Sequence, residues 1–229
     1  MSHACAVVTG GGRGIGRAVA LGLARRGFDV ALLGRTFASV ETTASEVIAV
    51  GRRALPLRCD VARSEEVAAA REAIVRALGA PRVVVNNAGI LRSASVTAMG
   101  EEDWDAVLDV NLKGTFLVTR AFLPSMLESG EGRFVAMASI SGALGTPRLS
   151  AYCASKWGVV GFTKALAEEL RGTGVQAMCV MPGSVDTEML KESGFAPQMT
   201  PEHVAGVVVY AALDAPPAMN GSAIEVFGP

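Results

Sequence analysis

The chain has 229 residues, 50% apolar and only 5% aromatic, enough to bury a core of small aliphatic side chains in one domain. Its formal net charge is −1, with acids and bases interspersed, so it lacks the basic face that a nucleic-acid partner requires. No uncharged run reaches the roughly 18 residues of a membrane span, and the residues before position 4 carry no charged leader, so a cytoplasmic protein without a membrane partner is expected.

Cys5, Cys59, Cys153 and Cys179 are too scattered for a disulfide framework or a metal site. Cys5, Cys59 and Cys179 fall in or at predicted strands and read as core packing, whereas Cys153 reads as reachable by a thiol reagent.

Residues 4–8 form a short apolar run that predicts a strand, and Thr9-Gly10-Gly11-Gly12-Arg13-Gly14-Ile15-Gly16 follows at once. Apolar residues then recur at helical spacing through Val19, Leu23 and Ala24. Strand, glycine turn and helix in that order leave backbone N–H groups uncovered at a helix start, an arrangement that suits a pyrophosphate. Gly10, Gly12, Arg13, Gly14, Ile15 and Gly16 are the expected contacts.

The strand predicted at 30–33 ends in Gly34-Arg35-Thr36, where such a unit meets the adenosine ribose. An acid there would hold a free 2′-hydroxyl, and none is present. Arg35, beside Thr36 and with Arg13 reaching across from the turn, favours a 2′-phosphate and therefore NADP(H) over NAD(H). A helix at 39–50 and a strand at 54–58 lead to Cys59-Asp60-Val61. Asp60 either accepts from the adenine amino group, with Val61 beside it, or caps a helix starting near Ser64.

Residues 65–78 read as a helix that Pro81 breaks. Residues 82–85 read as a central strand leading into Asn86-Asn87-Ala88-Gly89, whose small residues let a cofactor pass close to Asn87, Ala88 and Gly89. The two asparagines serve equally well to tie neighbouring strand ends. A helix predicted at 104–128 contains Asn111, a poor helix former that signals a kink or a water contact. The strand at 133–138 delivers Ser139 to the end of the sheet where ligands meet open α/β folds.

On the helix predicted at 151–171, Tyr152 and Lys156 are four residues apart and share one face. A free tyrosine, with a pKa of about 10, is too weak a base at neutral pH, but a neighbouring ammonium favours its phenolate. The strand at 175–180 stops at Met181-Pro182-Gly183, a turn that places Pro182, Gly183, Val185 and Thr187 against the nicotinamide end of a cofactor. A helix at 201–213 and a strand at 223–226 complete the α/β alternation.

The Thr-Gly-x-x-x-Gly-x-Gly run at 9–16, Asp60, Asn-Asn-Ala-Gly at 86–89, Asn111, Ser139, Tyr152-x-x-x-Lys156 and Pro182-Gly183 resemble the short-chain dehydrogenase/reductase family in order and spacing. The resemblance runs from Thr9 to about Phe227, and its 3-oxoacyl-carrier-protein reductase-like members are the nearest in kind. It implies a three-layer Rossmann fold over residues 1–229. In that fold a doubly wound parallel seven-stranded sheet, in the order 3-2-1-4-5-6-7, has helices on both faces.

It also implies interconversion of a carbonyl and a secondary alcohol by a homo-oligomer, tetramer or dimer. Tyr152 is then the general acid, Ser139 holds the oxygen, Lys156 lowers the Tyr152 pKa and bonds the nicotinamide ribose, and Asn111 positions a water.

Ile90, Leu91, Leu144, Leu149, Met189 and Leu190 predict an apolar pocket for an apolar ketone or 3-oxoacyl compound, under a small lid at 188–200 that lets bulky or flexible substrates enter. The acidic turn Glu128-Ser129-Gly130-Glu131 disfavours docking of an acidic carrier, while Arg133 and Arg171 read as basic groups near the site. A catalytically silent dinucleotide sensor is the alternative. The complete set Asn111, Ser139, Tyr152 and Lys156 speaks against it.

Overall fold

Short runs such as Cys-Ala-Val-Val-Thr in the first strand are buried along their whole length, so both faces of the sheet need cover. Helices provide it in the computed structural model, which describes residues 4–191 and 195–228. Residues 1–3, residues 192–194 of the expected lid and residue 229 lie outside the described residues.

The elements in order are β1 (Cys5–Thr9), α1 (Gly14–Arg25), β2 (Asp29–Gly34), α2 (Phe37–Ala49), β3 (Ala54–Arg58), α3 (Ser64–Leu78) and β4 (Pro81–Asn86). They continue with α4 (Glu101–Leu108), α5 (Gly114–Ser129), β5 (Gly132–Met137), α6 (Ser150–Glu169), β6 (Val175–Pro182), α7 (Glu188–Lys191), α8 (Pro201–Leu213) and β7 (Ala223–Val226). All seven strands pair in parallel in the order β3-β2-β1-β4-β5-β6-β7.

Alternate residues of each strand feed two cores. Ala6, Val8, Val30 and Val85 pack under α1, α2 and α8, while Val7, Leu33, Val84 and Phe134 pack under α3, α5 and α6. The order reverses between β1 and β4, and the crevice opens at the carboxyl ends of these strands.

The helix expected at 104–128 is two helices, α4 and α5, joined by a π-helical turn at Asp109–Lys113. The wide turn changes the facing of the helix, so that α4 packs on α6 and α5 on β4 and β5. β6 does not stop at 180 but pairs through Pro182 with Val226 of β7, because a proline lacks only a donor and its partner strand accepts from Gly183 instead, at 2.8 Å. No helix among the described residues is long and apolar enough to cross a membrane. Burial pushes the thiols of Cys5 and Cys59 up to about 12 and that of Cys179 to about 11, so these three are packing residues, while Cys153 is partly exposed.

At the amino-terminal foot of the sheet, Asp29 is fully buried and paired with Arg52 at 2.6 Å and Arg53 at 2.7 Å, and it accepts from the Arg53 backbone N–H at 3.0 Å. Burial alone would raise its pKa, but the hydrogen bonds from Arg53 and Arg52 bring it below the ordinary carboxylate value. The carboxylate therefore stabilises the fold above the unfolded pKa of about 3.9, and that contribution is lost as pH falls through the lower folded value. Asp29→Ala is expected to cost roughly 2–4 kcal/mol in urea unfolding at pH 7. The gap between variant and wild type should narrow below about pH 4.

Candidate active site

The carboxyl ends of the strands enclose a cleft of about 1010 Å³. On one side lies the glycine turn. Arg13 precedes α1 without any side-chain cap on the helix and with no acid in its first turn, so the first N–H groups of α1 are open toward the cleft. Gly10 has φ 63°, and Gly16 packs so tightly beneath it that an added Cβ would lie 2.2 Å from the Gly10 carbonyl oxygen. Gly12, Gly14 and Ile15 complete this wall.

The turn is tied to the end of β4. The Thr9 hydroxyl accepts from the N–H groups of Asn87 and Ala88 at 2.9 Å each, and the Asn87 amide donates to the carbonyls of Thr9 at 2.9 Å and Gly10 at 3.2 Å. The tying role anticipated for these asparagines is what Asn87 does, while Asn86 donates to Thr119 on α5 at 2.9 Å. Ala88 and Gly89 are left on the wall of the cleft.

Arg35, Thr36, Asp60 and Val61 line the adenosine end. Asp60 faces the cleft, but it does not cap α3, whose N-cap Arg63 has no side-chain cap; its Oδ1 instead accepts from the Ala62 N–H at 3.0 Å in the turn before that helix. Arg35 forms no ion pair among the described residues, whereas Arg13 is paired with Glu188 of α7. That contact between glycine turn and lid could not be read from either segment alone.

Opposite the glycine turn stand Ser139, Tyr152 and Lys156, all on the cleft wall and all buried. Ser139 is held at the end of β5 by the Ser141 N–H, which donates to its Oγ at 3.2 Å. Lys156 Nζ donates to the Met137 carbonyl at 2.7 Å and sits 5.5 Å from the centre of the Tyr152 ring. The expected lowering of the phenol pKa by this ammonium is not what the structure produces. Burial pushes the Tyr152 phenol above its ordinary value, a hydrogen bond from Ser139 opposes the rise, and burial pushes Lys156 down to about 8. Desolvation prevails because both groups lie inside the wall, and what opposes it at the phenol is the Ser139 hydroxyl and not the ammonium.

Asn111, unlike the other anticipated residues, is behind that wall. Its Oδ1 accepts from the Ile90 N–H at 2.8 Å, and its Nδ2 donates to the Ile90 carbonyl at 3.0 Å and to Ser155 Oγ at 3.0 Å. Ser155, which the sequence did not single out, donates onward to the Tyr152 carbonyl at 2.7 Å. The anticipated kink is the π-helical turn itself.

Ile90, Leu91, Leu149, Met189 and Leu190 line the substrate end, joined by Phe195, which sequence reasoning missed. Leu144 does not. The tight turn closed by its N–H on the Ile140 carbonyl at 2.9 Å leaves its side chain on the surface, 58% exposed. Arg133 and Arg171 are likewise far from the site: Arg133 begins β5, whose other end carries Ser139, and Arg171 follows α6 at the same foot of the sheet. Pro182, Gly183, Val185 and Thr187 close the nicotinamide side.

The family model of the short chain dehydrogenases matches residues 4–197. A 3-oxoacyl-[acyl-carrier-protein] reductase of Synechocystis is 37% identical over 219 residues, covering 91% of this chain and 89% of the relative. The 3-oxoacyl-[acyl-carrier-protein] reductase FabG of Thermotoga maritima is 33% identical, covering 97% of this chain and 95% of its own. Among solved structures, a short-chain type dehydrogenase/reductase from Mycobacterium marinum superposes with a TM-score of 0.94 at 32% identity, covering 98% of this chain and 94% of that one. Levodione reductase superposes at 0.92 with 27% identity, covering 97% and 95%. The chain therefore belongs to the short-chain dehydrogenase family and is an NAD(P)-dependent oxidoreductase acting on carbonyl and alcohol groups.

Proposed function

We propose that this chain reduces the carbonyl of an apolar ketone or 3-oxoacyl compound with NADPH, and that Tyr152 is the general acid. The observation that carries this reading is the convergence of Ser139, Tyr152 and Lys156 on one wall of the cleft, with an uncapped helix start and a glycine turn on the other. The glycine turn lacks the side chains that would exclude a pyrophosphate, so Gly10, Gly12, Gly14, Ile15 and Gly16 fit it. Arg35 suits a 2′-phosphate, Asp60 with Val61 the adenine, and Pro182, Gly183, Val185 and Thr187 the carboxamide. The bound nicotinamide supplies the hydride for the carbonyl carbon.

The remaining work falls to the chain's own groups. A phenol whose pKa is raised by burial keeps its proton at neutral pH, which is the form a carbonyl oxygen needs as it gains charge. Ser139 donates to the same oxygen and fixes its position. Lys156, still largely charged at neutral pH, stabilises the phenolate that the transfer leaves behind. Leu91, Leu149, Met189 and Phe195 suit an apolar substrate body, and the printed activity of the curated relatives supports a 3-oxoacyl group. A silent cofactor sensor has no use for an aligned phenol, hydroxyl and ammonium.

We also propose a homo-oligomer, supported by Phe116 and Trp157 on α5 and α6, which are 40% and 54% exposed. Sedimentation velocity is expected to find the wild type larger than a monomer and Trp157→Glu smaller; a monomeric wild type at micromolar concentration would refute it.

Tyr152→Phe is expected to lower kcat for ketone reduction by about 10²–10⁴ while NADPH binding, followed by fluorescence, is retained. Turnover that survives the substitution would remove Tyr152 from its role. Because Lys156 loses its proton as pH rises through about 8, kcat/KM for reduction should fall over that range. A flat profile between pH 7 and 9.5 would contradict this. Arg35→Asp should shift the NADPH/NADH preference toward NADH by roughly 10–100-fold, and an unchanged ratio would overturn the assignment of the 2′-phosphate to Arg35.

A further inference from the structure

At the foot of the sheet, the end opposite the cofactor cleft, a second cavity of about 730 Å³ lies between the starts of β5 and β6 and the chain that follows α8. Arg133 and Gln176 stand side by side on its wall, partners in register across the two strands. Arg133 is half-buried and donates one N–H to the Ala211 carbonyl at 3.0 Å, yet it forms no ion pair among the described residues.

The acids around it are already matched. Glu131 is held by Arg82 at 3.0 Å, Glu168 by Arg171 at 2.8 Å, and Asp214 by Arg26 at 2.7 Å. Arg133 feels Asp214 only through space, without an ion pair among the described residues. Its neighbour Gln176 has a buried Oε1 with no hydrogen-bond partner among the described residues. The other amide on the wall is by contrast fully employed: Asn220 accepts from the Ala177 N–H at 2.9 Å and donates to the Ala167 carbonyl at 2.8 Å. A partly desolvated guanidinium without a carboxylate in direct contact attracts an anion, and an unmatched buried carbonyl oxygen attracts a donor.

We propose that this foot cavity is a second ligand site, for a small oxyanion that also carries a hydroxyl. Its anionic oxygens meet the fork of Arg133, and its O–H donates to Gln176 Oε1 once that side chain turns toward the cavity. Hydrogen phosphate and a short hydroxycarboxylate share that chemistry. The site is separate from the reaction centre, since the length of β5 between Arg133 and Ser139 spans about 20 Å.

The test is calorimetric titration of the full chain, saturated with NADP⁺ so that the first cleft is taken, using inorganic phosphate, 3-hydroxybutyrate and butyrate as probes. Phosphate or 3-hydroxybutyrate, whichever is the better fit, is expected to bind saturably, and butyrate more weakly than its hydroxylated counterpart. Arg133→Met should weaken binding tenfold or more, and Gln176→Leu should abolish the advantage of 3-hydroxybutyrate over butyrate. No saturation by either oxyanion up to about 50 mM, or equal affinity in Arg133→Met, would overturn the site. Circular dichroism checks the variants; if Arg133→Met does not fold, the Gln176→Leu comparison decides, and an unchanged preference refutes the proposal.

Discussion

The cofactor side of this molecule hangs on one shared hydroxyl. β1 and β4 are neighbours whose continuations leave in opposite directions, and Thr9 bridges the parting by accepting from two successive N–H groups, those of Asn87 and Ala88, while donating to the Val85 carbonyl at 3.4 Å. Asn87 returns the connection to the backbone of Thr9 and Gly10. Thr9 is 2% exposed, so these bonds form in a medium where each is strong and where leaving any one unmade is expensive. α1 then rests directly on the turn because Gly16 has no side chain to hold it off. The width of the crevice and the direction of the open helix start follow from that arrangement.

The opposite wall is governed by loss of water. Burial moves Tyr152 and Lys156 in opposite directions, the phenol toward holding its proton and the ammonium toward releasing one. Phenol and ammonium groups in water both titrate near 10; burial draws this pair apart, so that at neutral pH the phenol holds its proton while the ammonium is still largely charged. The Met137 carbonyl keeps the ammonium in place without neutralising it, since a carbonyl contributes a dipole and not a charge.

Much of this could be read from the sequence because the deciding features are local. A glycine run between an apolar strand and a periodic helix, and a tyrosine four residues before a lysine, have meaning at short range, and the parallel order of strands follows from their alternation with helices. What stayed hidden depends on distant partners. The kink signalled by Asn111 could be anticipated, but not the partners that hold it there, Ile90 and Ser155, residues far from it in the chain. The direction of the Tyr152 shift depends on how deeply surrounding loops bury it. Arg13 finds Glu188 only once the lid folds back over the turn. Leu144 looked like a pocket residue by composition but is turned outward by a single backbone bond, and Arg133 looked close to the site only because it is close to Ser139 in sequence.

Asn111 also sets how the substrate end can vary. Its amide matches both backbone polar groups of Ile90 and takes Ser155 as a third partner, so the loop after β4, the π-helical turn and α6 are buttoned together at a single point. Segments joined in this way drift as a unit. A loop transplanted from a related reductase would bring new side chains to the pocket, but it would keep its shape only where one residue's N–H and carbonyl meet the same amide. Diversification of such a pocket is therefore channelled into side chains such as Leu91 and into the flap beyond Thr187, leaving the path of the chain between them unaltered.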